Sequence, residues 1–267
     1  MIDPTNQEEA DQVLNAVFTP IDHTSVVDSI VSQIETLILN GILRDGGRLP
    51  SERDLAEQMG VSRPKVREAL KLLEENDLIL ARHGEGTFVA PLVGSAMSPA
   101  LIALYARHQD AFNSYLEFRI EQESFAANLA ATRATKADKE ILTRVMEDLE
   151  AAHLADDSQA SQDADIRFHS AIIDASHNSL LVHTMSSIYA LTRQNLFYNR
   201  SFLRSIDGTG QQLLAQHREI FEAIKAGNPE RAATAARDHI EFVQRSYVEE
   251  QSRAQRDQVA SQRLALL

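Results

Sequence analysis

Three histidines and one aspartate in the second half of the chain have the side-chain types and positions of metal ligands. Asp165 and His169 are four residues apart, a spacing that puts both on one face of a helix. His217 and His239 each continue the apolar stripe of another helical segment. Burying these groups without partners would cost on the order of a few kcal/mol each, whereas one divalent cation would satisfy all four.

The donor set narrows the identity of the metal without deciding it. Three imidazole nitrogens and one carboxylate oxygen suit zinc, which we expect first, and also nickel, manganese, cobalt and iron. The chain has no cysteine, so no thiolate can take part. Four protein ligands on an octahedral ion leave two positions for water or for a carboxylate ligand. The alternatives are that each histidine is a hydrogen-bonded core residue, or that the metal is purely structural.

Two further residues could contact such a carboxylate ligand. Arg119 lies on the inward stripe of its helix with Tyr115 and Leu116, one turn before Glu123. Its guanidinium could clamp a carboxylate through two parallel hydrogen bonds. The alternative is a buried ion pair between Arg119 and Glu123. Asn195 falls on the apolar face of a later helix, where its amide could orient a hydroxyl or keto oxygen.

A second set of candidates lies in the first hundred residues and is suited to binding DNA. Arg63 and Arg67 are four apart along one side of a helix, with Lys65 in its first turn. The first turn of a recognition helix meets base edges, and a guanidinium can pair with guanine through two hydrogen bonds. Arg53, on the preceding helix, is placed to reach the phosphate backbone.

A turn further along the chain offers a contact with the minor groove or a phosphate. His83 supplies a side chain there, and Gly84 lets the main chain approach the duplex closely. The competing interpretation is that all these cations are merely solvated. The overall charge opposes DNA binding, since the chain carries −13 and residues 1–92 hold 8 basic against 16 acidic side chains. The positive charge must therefore be focused along the helix of Arg63 and Arg67.

The elements that would position these cations form a winged helix-turn-helix. Apolar residues at helical spacing predict a first helix over 25–40 that ends at Gly41. Ser51 and Ser62 are predicted to cap the two helices that follow, and Gly60 separates them. A β-hairpin completes the domain. Its strands are predicted over 78–82 and 87–90, on either side of a glycine-containing turn.

The second half is predicted to be an antiparallel all-helical bundle, so the protein is mainly α. Residues 100–206 include neither glycine nor proline and are rich in helix-forming types. The predicted helices cover 98–108, 110–133, 136–156, 160–176, 178–203, 209–226 and 229–250. Along the chain we expect a flexible arm over 1–20, the winged domain over 21–92 and a linker over 93–99. The helical domain follows over 100–250, and a polar tail over 251–267.

Composition excludes several classes of protein. A hydrophobic fraction of 43% is ordinary for a globular chain, and no stretch approaches the ~18 consecutive apolar residues of a membrane helix. The first residues lack the basic and apolar regions of a secretory signal. The absence of cysteine rules out disulfide scaffolds and thiol catalysis. We therefore expect a cytoplasmic protein that has no membrane partner.

Residues 25–91 resemble the N-terminal domain of the GntR family of bacterial transcription regulators. The resemblance is carried by LPSERDLAEQMGVSRPKVREALKLLEENDLI and RHGEGTFV. It implies contacts with double-stranded operator DNA from Arg53, Arg63, Arg67, His83 and Gly84. Ser62 joins them as a candidate, and Pro64 and Lys65 fall in the variable part where operator choice would be set. The chain departs from the family at Asp77 and its neighbour, where many members carry a glycine.

The helical half, over about 110–245, resembles the FCD effector domain of the FadR subfamily of the same family. The motifs are LEFRIEQESFAANLAA, DADIRFHSAIIDASHN and LLAQHREIFEAIKAGNPERAATAARDHIEFV. Metal-binding members have an Asp-x-x-x-His and two further histidines at these places, which implies the ligand role for Asp165, His169, His217 and His239. The second motif is similar to that of members that sense lactate, pyruvate or glycolate.

Together these features predict a homodimeric transcription regulator whose winged domains bind a palindromic operator. Its helical domains would bind a small carboxylate at the metal, with Arg119 and Asn195 as the effector contacts. We expect a repressor that the effector releases from DNA. The alternative function is a metal-dependent enzyme whose ion activates water against a small carboxylate. No base stands out beside the ligands for that chemistry, and the DNA-reading half would then be unexplained.

Overall fold

The computed structural model describes residues 26–92, 104, 109–193 and 209–264. It confirms a mainly α fold in which the chain divides near Ala90 into two compact units. The expected arm over 1–20 and linker over 93–99 lie outside the described residues. So does the predicted helix over 98–108, apart from Leu104. None of the described helices is long and apolar enough to cross a membrane.

The winged unit contains three helices followed by an antiparallel hairpin, in the predicted order. The elements are α1 (Val26–Leu39), α2 (Glu52–Met59), α3 (Arg63–Glu75), β1 (Ile79–Arg82) and β2 (Gly86–Val89). Helix α3 buries Val66, Ala69 and Leu73 completely. Because the side chains of a helix repeat every 3.6 residues, its opposite side is left facing solvent, and that side carries Arg63 and Arg67.

The two serine caps behave differently. The Ser51 hydroxyl accepts the N–H of Asp54 and so caps α2, which ends at Gly60 in the left-handed conformation (φ 65°). Ser62 occupies the N-cap position of α3, as predicted, but its side chain makes no capping hydrogen bond. The Ser62 carbonyl instead accepts the N–H groups of Lys65 and Val66, and its side chain is exposed.

The wing has a third segment that the sequence did not reveal. The N–H of Leu49 donates to the carbonyl of Thr87 at 2.8 Å, and the N–H of Gly46 donates to the carbonyl of Val89 at 3.0 Å. The N–H of Val89 in turn donates to the carbonyl of Gly47 at 2.9 Å. The stretch before α2 is thus hydrogen-bonded to the outer edge of β2, and this pairing anchors the hairpin to the unit.

The helical unit is built from six described helices. They are α4 (Gln109–Arg133), α5 (Lys136–Leu154), α6 (Ser158–Ala175), α7 (Ser179–Arg193), α8 (Thr209–Lys225) and α9 (Pro229–Leu264). Helix α4 packs against α6 and α9, α5 packs against α6, and α8 packs against α9. Their shared core includes Leu142, Met146, Phe168, Ile220 and Ile224, all nearly or fully buried.

Helix ends differ from prediction in one place of consequence. Helix α9 continues through Leu264, so the polar tail expected after residue 250 extends the last helix, and residues 252–264 are largely exposed. No glycine or proline follows Pro229, so no residue of either type interrupts the helix. The part of the predicted 178–203 helix beyond Arg193 lies outside the described residues.

Asp77, which follows α3, has φ 56° and occupies the left-handed region where glycine is favoured. We expect Asp77→Gly to stabilise the protein by up to about 1 kcal/mol, because the Cβ atom disfavours this conformation. Glu68→Gly removes the same charge from within α3 and should destabilise the protein by about 1 kcal/mol. Urea unfolding curves measure both changes, and a loss of stability in Asp77→Gly would contradict the argument.

Candidate functional site

The three predicted histidine ligands meet in the core of the helical unit. His169 of α6, His217 of α8 and His239 of α9 are buried, and their ligand atoms all lie within 4.8 Å of one another. Nε2 of His169 and Nε2 of His217 are 3.3 Å apart. Two ligand atoms that each lie ~2.0–2.1 Å from one ion are about 2.9–3.4 Å apart at coordination angles of roughly 90–110°. The histidine spacing therefore fits a shared metal ion.

The Asp165 carboxylate lies beside the ring nitrogens of this histidine cluster. Its Oδ1 atom is 3.0 Å from Nε2 of His217 and 3.6 Å from Nε2 of His169. Only 7% of the residue is exposed. The carboxylate oxygen thus extends the histidine cluster to the predicted set of three nitrogens and one oxygen, a combination that suits zinc and other divalent transition metals.

Outer hydrogen bonds orient two of the three imidazoles. Nδ1 of His169 lies 2.7 Å from Oε2 of Glu123, and Nδ1 of His239 lies 3.0 Å from Oε1 of Gln216. Both partners are acceptors, so each Nδ1 carries a hydrogen. Each Nε2 therefore faces the position of the shared metal ion. Such outer acceptors are typical of metal-bound histidines. Sequence reasoning assigned no such role to Glu123 and did not single out Gln216.

Arg119 is part of the same buried network. Its Nε donates to Oε1 of Glu123, the carboxylate whose other oxygen faces His169. The guanidinium carbon lies 5.7 Å from the ring centre of Tyr115 and 5.8 Å from that of Tyr189. The structure thus contains the ion pair that we gave as the alternative. The predicted effector contact by Arg119 stays a prediction, and Asn195 lies outside the described residues.

The charges of this network balance within the core. Burial opposes ionisation of Glu123, but Arg119 and His169 hold its pKa at about 2. Burial likewise opposes protonation of His169, but Glu123 and Asp165 raise its pKa to about 9. Burial lowers the pKa of His239 well below its usual range, and the other two imidazoles add to that effect. Glu123 therefore carries a negative charge between the Arg119 guanidinium and the His169 imidazole, whose Nε2 proton a bound cation would displace.

A small cavity adjoins the cluster. Its lining is apolar except for Glu123 and His169, and the other lining residues are Ile172, Ile173, Ile220 and Ala236. The cavity therefore brings apolar walls up to one predicted metal ligand, His169, and to the Glu123 carboxylate.

The predicted DNA contacts all lie on the exposed surface of the winged unit. They are Arg53, Ser62, Arg63, Pro64, Lys65, Arg67, His83 and Gly84. Gly84 is at the tip of the β-turn with φ 76°, and no heavy atom lies within 4 Å of the position that a Cβ would take there. The tip is therefore open to an approaching backbone.

Several of the basic candidates are paired with carboxylates. Arg67 donates from Nε and Nη2 to the two oxygens of Glu52, at 3.0 and 2.7 Å. These hydrogen bonds lower the pKa of Glu52 below its usual range. Nη2 of Arg63 lies 4.0 Å from the same carboxylate. Sequence reasoning missed Glu52, which lies on α2 and acts on α3.

Comparison with known proteins covers both units. Residues 27–89 match the family described as bacterial regulatory proteins, gntR family, and residues 114–242 match the FCD domain. Three relatives illustrate the level of similarity. The "Putative L-lactate dehydrogenase operon regulatory protein" of Escherichia coli K12 is 34% identical over 81% of this chain and 84% of its own length. The "Glc operon transcriptional activator" of the same strain is 33% identical over 83% and 88%. The "HTH-type transcriptional regulator LutR" of Bacillus subtilis is 34% identical over 80% and 99%.

Arg67→Ala should weaken binding to the preferred DNA site by roughly 10- to 100-fold, because one guanidinium–guanine pair is lost. Affinity for unrelated DNA should change far less. Arg245→Ala is the matched control, since it removes an exposed arginine of the helical unit that also pairs with a glutamate. Fluorescence anisotropy with both duplexes measures these affinities. Equal binding of the preferred site by Arg67→Ala and the unaltered protein would show that Arg67 reads no base.

Gln216→Leu should weaken zinc binding by about tenfold or more, because Nδ1 of His239 loses its acceptor. Gln212→Leu makes the same change one turn earlier on α8, at an exposed position, and should leave the zinc affinity unaltered. Competition with a chromogenic chelator measures the affinity. The assignment of Gln216 fails if its variant holds zinc as tightly as the control.

Proposed function

This chain belongs to the GntR family of bacterial regulatory proteins and carries an FCD domain, and on that premise we propose that a small carboxylate controls its binding to an operator. Like its relatives, it is a DNA-binding transcription regulator, and it is not an enzyme. The proposal adds that it is a homodimeric, cytoplasmic repressor. The single observation that supports the sensing role most strongly is the buried cluster of His169, His217 and His239.

Operator reading is assigned to α3 and the wing. The exposed arginines of α3 would enter the major groove, where Arg67 exchanges the Glu52 carboxylate for a base edge. His83 and Gly84 would meet the minor groove or a phosphate. Two copies related by a two-fold axis would read the two halves of a palindromic site. Because the whole chain is acidic, only a close match between this surface and the duplex favours binding.

The metal site is assigned to His169, His217, His239 and Asp165. A divalent cation bound there, zinc in our proposal, supplies positive charge and coordination positions to an anionic ligand. Glu123 and Gln216 hold the imidazoles of His169 and His239 in the tautomer that leaves Nε2 available. Arg119, one helix turn from Glu123, would receive the carboxylate of the effector, and Asn195 would orient its second oxygen.

The effector is proposed to be a small hydroxy or keto acid such as lactate, pyruvate or glycolate. The cavity beside Glu123 and His169 has room for about one water molecule, so even a short acid would enter only if the surrounding helices move apart, and a long-chain ligand would need far more space. One relative carries the L-lactate dehydrogenase operon in its name, which supports the same class of compound. A short acid of this kind offers a carboxylate to Arg119 and a neighbouring oxygen to the metal or to Asn195.

Control of DNA binding requires that the acid bind two states of the protein unequally. The metal ligands and Glu123 come from four helices, α4, α6, α8 and α9, so an anion among them acts on the packing of all four. We propose that the acid-bound packing lowers operator affinity. One relative is named as an activator. If the acid strengthened operator binding by this chain instead of weakening it, regulation by activation would be favoured.

In the zinc-loaded protein, L-lactate, pyruvate or glycolate should weaken operator binding by roughly 5- to 150-fold, the usual range of coupling between two sites. His217→Ala should still bind the operator and should lose this response, because the metal site is broken. His153→Ala is the matched control, since it removes a histidine of the same unit that lies outside the cluster. Anisotropy titrations with an operator duplex measure the response.

Two outcomes would contradict the proposal. Equal weakening by the acid in His217→Ala and the unaltered protein would separate sensing from the metal site. A chelator that lowers the melting temperature but leaves the acid response intact would make the metal purely structural.

A further inference from the structure

One buried polar atom beside the metal cluster has no role in the network described above. Tyr189 of α7 is only 4% exposed. Its hydroxyl oxygen is buried and forms no well-aligned hydrogen bond to any described residue. Burial raises the pKa of the hydroxyl well above its usual range, and the nearby Glu123 carboxylate adds to that effect. Buried polar groups are nearly always hydrogen-bonded, and leaving one unpaired costs free energy. Such a group points to a partner that comes from outside the chain.

The surroundings of Tyr189 place that partner next to the cluster. The ring centre of Tyr189 is 6.4 Å from that of His169, and the guanidinium carbon of Arg119 lies 5.8 Å from the Tyr189 ring centre. Tyr189 therefore lies close both to a predicted metal ligand and to the residue predicted to bind the effector carboxylate. Both oxygens of the neighbouring Glu123 are engaged, one by Arg119 and the other by His169.

The chemistry of the hydroxyl matches an anionic ligand. A phenol can donate one hydrogen bond, and a carboxylate can only accept. An acid that enters this core brings two acceptor oxygens that must be satisfied, and Arg119 already shares its charge with Glu123. A second donor close to Arg119 would complete the binding of the carboxylate, and Tyr189 lies at that distance.

We propose that Tyr189 is an effector-binding residue whose hydroxyl donates to the carboxylate of the acid, alongside Arg119. This inference rests on the proposed function, since it needs an acid in the core. It adds a residue that the sequence did not indicate, on a helix that supplies none of the metal ligands. Part of the affinity for the acid then arises because binding satisfies a buried hydroxyl that otherwise forms no well-aligned hydrogen bond to the described residues.

The proposal predicts that Tyr189→Phe does not destabilise the ligand-free protein but weakens binding of the acid. In the ligand-free protein Tyr189→Phe removes a group that is buried at a cost, so the melting temperature should be unchanged or higher. In the acid-bound protein it removes a hydrogen bond to an anion, so the dissociation constant should rise roughly tenfold or more. A tyrosine that only supports the fold would lower the melting temperature and leave acid binding unchanged.

The experiment uses the full-length, zinc-loaded protein and isothermal titration with L-lactate, glycolate and acetate. Tyr189→Phe should weaken binding of all three by a similar factor, because they share the carboxylate, and it should bind zinc in the same stoichiometry. Tyr247→Phe, a tyrosine of α9 outside the cluster, is the matched control and should bind the acids as the unaltered protein does.

Four results would overturn the inference. Equal acid binding by Tyr189→Phe and the unaltered protein removes the hydroxyl from the effector site, and the proposed function would stand. Loss of zinc or a lower melting temperature in Tyr189→Phe makes its role structural. Weakening of L-lactate and glycolate but not acetate shows that the hydroxyl reaches the second oxygen instead of the carboxylate. No acid binding by the unaltered, zinc-loaded protein overturns both this inference and the proposed function.

Discussion

The helical unit depends on how buried charge is satisfied within an apolar core. Arg119, Glu123, Asp165 and His169 are each less than a tenth exposed, and an isolated charge at such a depth would be prohibitively costly. Each is satisfied by the next, from Arg119 to Glu123, from Glu123 to His169, and from His169 to Asp165 and His217. The chain of contacts joins α4, α6 and α8, so the helices must dock in one arrangement to complete it. The proposed cation and anionic ligand would bind at the point where these helices meet.

The winged unit also pairs its charges, but it does so at the surface, where another anion can replace the carboxylate partner of an arginine. Arg67 is exposed and its two hydrogen bonds go to Glu52, a carboxylate that is itself partly exposed. Exposed pairs of this kind contribute little to stability, so DNA can replace the carboxylate at small cost. The pairing also suggests why an acidic chain can read DNA selectively. If Arg67 reads bases as proposed, the Glu52 carboxylate beside it disfavours any duplex that does not offer a better partner at the same place.

Prediction from sequence succeeded where the periodicity of a single helix determines which side chains are buried. The spacing of Asp165 and His169 and the apolar stripes around His217 and His239 were enough to place these residues in one core, because helical periodicity determines which face is buried. It failed where partners come from different elements. Glu52 meets Arg67 across α2 and α3, Gln216 meets His239 across α8 and α9, and the 46–49 segment meets β2 through backbone atoms alone. Such contacts depend on the depth and rotation of docked elements, which no local pattern records. The extension of α9 past residue 250 was left open by the sequence, because a polar composition is compatible with either a helix or a frayed tail.

The most direct test of the sensing site is anomalous X-ray diffraction from crystals of the zinc-loaded protein, collected on both sides of the zinc absorption edge. We expect one strong anomalous peak per chain, at ~2.0–2.2 Å from a ring nitrogen of His169, His217 and His239 and from a carboxylate oxygen of Asp165. A peak bound elsewhere, or none among these four residues in a protein that still contains zinc, would contradict the account of how this chain senses its ligand.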